Sequence, residues 1–340
     1  MNRLLTSRRT ALAAGLAGIA CALPCALVTP ARAQPARNPA ADAWPSRPVR
    51  LVVGFPPGSS PDFIARALAE PLARALGQPV IVENRVGASG NIATGMVAQA
   101  TDQHTLGIVI NGNMTIAKLL NPATSYDPLK DLAPVSLVCT APLLLAAPAQ
   151  GTATSSKEFL EAARRAGNSW SYGSPGVGTV GHLAMEVLKS KAGITPVHVP
   201  YSSYQHVATA MVAGDVQVSL VQLGAAMPMV AAGRLRAIGV TSAQRSPLAP
   251  DYPTLAEAGF PAVELEVWTG VAAPAGMPAA HVARLSALLG RIARSDEVRS
   301  QLVHHGYDAV GVDAAGFGKR IQSDYQQLSR IIVSQGIKLE

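Results

Sequence analysis

From residue 49 onward, short apolar runs alternate with segments whose apolar positions recur every three or four residues. Residues 49–55 are apolar almost throughout and read as a buried strand. Ser60–Leu76 then places Ile64, Leu68, Leu72 and Leu76 four apart, which predicts a helix. Ser60 can cap it, Pro61 suits its first turn and Gly77 ends it. Pro71 inside it should remove one backbone bond and bend it. Residues 80–83 and 105–110 give two more strands, separated by a glycine turn at 87–90 and a short helix.

Residues 135–148 form a long apolar run without helical spacing and read as a strand passing from one lobe to another. A capping box at Ser155 and Glu158 opens the next helix. Strands at 170–173, 197–201, 216–221 and 235–241 follow, with helices at 182–191 and 204–213 between them. Residues 263–273 look like a second crossing strand. The remainder is mostly helical, over 278–292, 295–305 and about 314–335. Strand–helix alternation predicts an α/β fold with largely parallel sheets. Two crossings divide it into lobe I, residues 46–138 and 268–340, and lobe II, residues 139–267. The cleft between them is the expected ligand site.

The first 33 residues read as an export signal. Arg8-Arg9 supply the charged start, residues 11–28 the apolar run and Ala31-Arg32-Ala33 a small-residue cleavage motif. Ser7-Arg8-Arg9 resembles a twin-arginine signal, and the general route remains open. Residues 34–45 look like a flexible spacer. The charge of +7 changes meaning once the leader is set aside. Without Arg3, Arg8, Arg9 and Arg32, 24 basic residues face 21 acidic ones, a surplus of only three. That tolerates anionic ligands but is no nucleic-acid footprint. Cys21 and Cys25 leave with the leader, so Cys139 stays alone and no internal disulfide can form.

Four turns rich in Gly, Ser, Thr and Asn precede predicted helices, at residues 54–60, 87–91, 111–115 and 173–179. A helix start presents unpaired N–H groups and a positive dipole end, which favours an anion. Gly176, Gly178 and Gly181 match the dinucleotide fingerprint, but the acidic residue expected some 20 positions on is absent. Ser174 lacks the preceding glycine of a nucleophile elbow. His182 and Glu186 are two potential ligands one turn apart, too few for a metal site. Neither a cofactor nor a metal is expected. Tyr201 and Trp268 are candidates for lining the cleft, with core packing as the alternative. Arg85 reads as a loop brace.

An ordered series of motifs resembles one family. It includes Phe55-Pro56-Pro57-Gly58 through Asp62, Val82-Glu83-Asn84-Arg85, Ser174-Pro175-Gly176-Val177-Gly178 with His182, Val199-Pro200-Tyr201, and Pro253-Thr254-Leu255-Ala256-Glu257-Ala258-Gly259. The family is the Bug-type solute-binding proteins of tripartite tricarboxylate transporters, and the resemblance spans residue 44 to the C-terminus. It implies a type II, Venus-flytrap fold that closes on a small carboxylate held by backbone N–H groups, hydroxyls and waters. Lobe I would offer Phe55, Gly58, Ser59, Ser60 and Asp62. Lobe II would offer Ser174, Gly176, Gly178, Thr179 and His182. Asn91, Asn113 and Tyr201 are secondary candidates. The implied protein is a periplasmic monomer with no chemistry of its own, serving the membrane components of such a transporter. Two alternatives stay open: a periplasmic hydrolase using Ser174 and His182, and a ligand-sensing domain. Two departures bear on the ligand. The family's paired glycines are Gly58-Ser59 here, and acids usual near Gln217 and Val221 are missing. A carboxylate without an ammonium group is therefore expected.

Overall fold

The computed structural model describes residues 44–151 and 155–337. The expected export signal, its cleavage point at Ala33 and spacer residues 34–43 lie outside the described residues.

Apolar run and amphipathic helix alternate as the sequence predicts. In chain order the elements are β1 (Val49–Val53), α1 (Ser60–Leu76), β2 (Val80–Asn84), α2 (Asn91–Ala98), β3 (Thr105–Ile110), α3 (Asn111–Thr115), α4 (Ala117–Leu120), β4 (Leu132–Pro148), α5 (Ser156–Ala166) and β5 (Ser171–Ser174). They continue with α6 (Val180–Ala192), β6 (Val197–Pro200), α7 (Tyr204–Ala213), β7 (Ser219–Gln222), α8 (Leu223–Ala231), β8 (Leu235–Val240), β9 (Glu266–Pro274), α9 (Ala279–Ala293), α10 (Asp296–His304), β10 (Asp308–Val312) and α11 (Ala314–Gln335).

In the first lobe the strand order is β2-β1-β3-β9-β4-β10. Strands β1, β2 and β3 run parallel, whereas β9 is antiparallel to β3 and β4 antiparallel to both β9 and β10. The far half of β4 leaves this sheet and pairs antiparallel with β7 and β8 to found the second. A parallel pair, β5 and β6, joins that sheet through the bridge Tyr172–Val218. The fold is thus two-lobed α/β, but its sheets are mixed rather than largely parallel. The reason is the direction of the strands: β9 and β10 run opposite to β1–β3 in the first lobe, and β4 runs opposite to β7 and β8 in the second.

Pro71 lies inside α1, which runs unbroken to a left-handed Gly77 cap. Ser155 and Glu158 form the expected capping box. Three elements were missed: α3, where residues 111–115 read as a turn, α8 and β10. Helix α8 contains Pro228, a residue that reads as a helix breaker. Strand β10 is a short edge strand between two helices. Cys139 is buried in β4 and burial pushes its thiol pKa up, so it is an inert core residue. Arg85 pairs with Glu83, as does Arg50 at 2.9 Å.

Candidate ligand-binding site

Three helix starts meet where the lobes touch. Helix α1 comes from the first lobe, and α6 and α7 from the second. All three border one small cavity of about 40 Å³, with Trp268, Thr269 and Tyr307 on another side. Ser59 and Thr179 occupy the capping positions of α1 and α6, yet neither caps its helix. Ser59 Oγ donates to the carbonyl of Pro56 at 2.6 Å, and Thr179 Oγ1 to that of Gly176 at 2.8 Å. The first-turn N–H groups of both helices therefore keep their capacity to hold an anion. At α7 the cap is made, since Ser203 Oγ accepts from the amide of His206.

Beyond this cavity lies a larger chamber of about 500 Å³, bordered by Phe55, Ile110, Pro175 and Thr179, which also line the inner cavity. Asn91, Asn113 and Tyr201 stand on its wall. No Lys, Arg, His, Asp or Glu is among the described residues lining either space. The two asparagines brace each other: Asn113 Nδ2 donates to Asn91 Oδ1 at 2.7 Å, and Tyr126 Oη reaches the same oxygen at 2.8 Å.

The loop before α6 is held from below. Ser174 is fully buried and lines neither space. Its Oγ lies 2.7 Å from His198 Nε2 and within bonding distance of both the amide and the carbonyl of Gly176. Gly176 and Gly178 hold positive φ values of 121° and 79°, which a side chain would strain. His182 accepts the amide of Gly178 at Nδ1, 3.3 Å away. The serine–histidine pair required for hydrolysis by Ser174 and His182 does not form. The serine faces His198 instead, with no exposed surface.

Burial lowers the His182 pKa, and Lys189 adds to this while Glu186 opposes it. The folded protein therefore declines a proton that the unfolded chain accepts near pH 6.5. The stabilisation is complete above that pH and is lost as pH falls toward the depressed folded value. Urea unfolding at pH 7.5 and pH 5.5 should show lower stability in acid, by at most about 1.4 kcal/mol per pH unit from this group. In His182→Gln that slope should flatten.

The loop before α1 is braced by Asp62, which lines neither space. Its carboxylate accepts from Gly58 N–H at 2.9 Å, Asn84 Nδ2 at 2.8 Å and the Arg66 guanidinium at 2.9 and 3.0 Å. Burial pushes the Asp62 pKa up, but these bonds outweigh it and leave the group below the usual carboxylate range.

Of the residues expected at the site, Phe55, Ser59, Ser60 and Thr179 line the inner cavity. Phe55, Asn91, Asn113, Gly176, Gly178, Thr179 and Tyr201 line the outer chamber. Gly58, Asp62, Ser174 and His182 lie behind these surfaces as supports. Trp268 is both core and lining: it is fully buried, and its Nε1 donates to Asp324 Oδ2 at 2.6 Å. Sequence reasoning missed Tyr204, Gln205 and Tyr307. The serine preceding the α7 helix was visible as a cap, and its first turn could have been set beside the other two.

Contacts close the lobes over the inner cavity. Gln205 Nε2 donates to Ser60 Oγ at 3.1 Å, joining α7 to α1. Opposite, Gly112 of α3 meets the 176–179 loop so closely that a Cβ on it would lie 2.6 Å from the Gly178 carbonyl oxygen.

Two lobes joined by crossing strands, with helix starts facing a shared cleft, define a periplasmic-binding-protein fold. The chain belongs to the tripartite tricarboxylate transporter family receptors, whose model matches residues 64–337. It is 35% identical over 294 residues to the UPF0065 protein in the tcbD-tcbE intergenic region of a Pseudomonas species, covering 86% of this chain and 87% of the relative. An R. palustris protein solved with adipate is 31% identical with a TM-score of 0.82, covering 87% of this chain and 99% of that one. MatC from Rhodopseudomonas palustris, solved with bound malate, is 31% identical with a TM-score of 0.79, covering 85% and 100%.

Proposed function

We propose that this protein captures a small carboxylate in the periplasm and delivers it to the membrane components of a tripartite tricarboxylate-type transporter. One observation carries the reading: three helix starts converge on a small cavity between the lobes whose lining holds no charged side chain among the described residues. Such a site offers backbone N–H groups and helix dipoles to an anion without a cationic clamp. The amides of Ser60 and Val180 are placed to receive the carboxylate. The supports Gly58, Asp62, Ser174 and His182 keep the two loops in shape, and Gly176 and Gly178 let the backbone approach. The rest of the ligand extends into the outer chamber along Phe55 and Tyr201, past Asn91 and Asn113. The adipate and malate carried by the similar R. palustris proteins support the ligand class.

The lobes, residues 46–138 with 268–340 and residues 139–267, close by bending where β4 and β9 cross between them. The protein acts as a monomer, binds without catalysing a reaction and is exported with its leader cleaved after Ala33. N-terminal sequencing of periplasmic material should begin at Gln34, and an intact Met1 would contradict export by cleavage. No helix among the described residues is long and apolar enough to cross a membrane.

A calorimetric panel tests the ligand class. At least one monocarboxylate or dicarboxylate should bind with micromolar affinity, about −8 kcal/mol. Amino acids should bind far more weakly, because a buried ammonium needs an anionic partner and neither space supplies one. Preference for a sugar or an amino acid over every carboxylate would contradict the reading.

A further inference from the structure

Two residues lining the inner cavity carry buried polar atoms with unused hydrogen-bonding capacity: Gln205 Oε1 has no partner, and Tyr204 Oη, beside the Gly181 amide, has no acceptor for its proton. Both sit on the first turn of α7, yet they ask for opposite things. The phenol has a proton to give, whereas the amide oxygen can only accept. Leaving a buried proton or lone pair unused is unfavourable, so each offers a place for a ligand atom.

Their places are fixed by neighbours. A Cβ on Gly181 would lie 2.6 Å from Tyr204 Oη, so the hydroxyl hangs over the first turn of α6, beside the N–H groups that receive an anion. Gln205 spends its amide nitrogen on Ser60 Oγ at 3.1 Å, at the start of α1. Its oxygen is thereby held at the contact between α1 and α7, beside Ser60. Resting on the carboxylate reading above, we propose that Tyr204 donates to the ligand carboxylate while Gln205 Oε1 accepts a hydroxyl on the adjacent carbon. The preferred ligand is then a 2-hydroxycarboxylate. A 2-amino acid would offer the same donor but bring a positive charge, and no acidic side chain among the described residues lines the two spaces. Asp62 faces Gly58, Asn84 and Arg66 instead. A 2-oxo acid offers only acceptors.

Calorimetry with 2-hydroxyhexanoate, hexanoate, 2-oxohexanoate and 2-aminohexanoate, and with malate against succinate, tests this. Each hydroxy acid should bind at least tenfold tighter than its deoxy partner and its oxo analogue. Gln205→Leu should weaken binding generally, through the lost bond to Ser60, and bring the hydroxy-to-deoxy ratio close to one. Tyr204→Phe should weaken all acids about tenfold and leave the ratio in place. Melting curves confirm that both variants fold. A ratio near one in the unaltered protein, or a ratio that survives Gln205→Leu, overturns this assignment while leaving carboxylate binding intact. Failure of every acid to bind overturns both.

Discussion

Gly112→Leu is expected to weaken carboxylate binding more than 100-fold while leaving the protein folded. The three atoms nearest to a Cβ at this position are the carbonyl oxygen and carbon of Gly178 and the Cα of Thr179, all across the cleft. The carbonyl oxygen would lie only 2.6 Å away, and it belongs to backbone that cannot rotate aside. Within its own lobe Gly112 lies in α3, where replacing glycine favours the helix by up to about 1 kcal/mol. The substitution therefore penalises the approach of the lobes, and because Gly112 also lines the outer chamber the leucine takes ligand space there too. If the closed form falls to about 1% of the population, apparent affinity falls about 100-fold even with every ligand contact preserved. Calorimetry should show the loss, and a melting temperature within a few degrees of the original should accompany it. Gly112→Ala should give a smaller loss in the same direction. Affinity within threefold of the original in Gly112→Leu would mean that binding does not need this closure.

The largest loss of stability is expected from Asp62→Ala, about 3 kcal/mol. The carboxylate is nearly inaccessible and serves as acceptor for the Gly58 amide, the Asn84 side chain and the Arg66 guanidinium. Arg66 reaches solvent and can rehydrate, so its share is modest. The other two donors are part-buried, and stranding such groups costs about 1–3 kcal/mol each. The same bonds set a pH dependence. With its folded pKa depressed, Asp62 contributes stability that is present above its unfolded value near 3.9 and lost as pH falls through the folded value. Urea titrations should show the unaltered protein weakening below about pH 4, and Asp62→Ala should lose much of that component. A change below 1 kcal/mol would show that the loop before α1 holds its shape without the brace.

Much of this arrangement is written locally in the chain. Helix α1 could be bounded from Ser60 to Gly77 because fourfold spacing, a proline at the start and a terminal glycine agree with each other. The long run at β4 announced a crossing because it is too long and too apolar for one half-exposed strand. Helix α8 escaped because Pro228 and a nearly uniform apolar composition hide its period. Strand direction escaped as well, since a run of Val and Leu reads the same whichever neighbour it joins. At the site, glycine-rich turns were visible as anion-friendly helix starts. What could not be read is which polar side chains face the cleft. Ser174 and Thr179 look equivalent in sequence, but one is sealed against His198 and the other borders both spaces. Tyr204 and Gln205 carry no local signature. They matter because α7 starts opposite α1, a pairing of residues 145 positions apart.

A co-crystal structure with the tightest-binding carboxylate tests the central claim most directly. The result expected is a carboxylate in the inner cavity, its oxygens about 3 Å from the amides of Ser60 and Val180, with the lobes closed and no Lys or Arg in contact. A ligand carboxylate bound outside the cleft, or held by a cationic side chain, would contradict it.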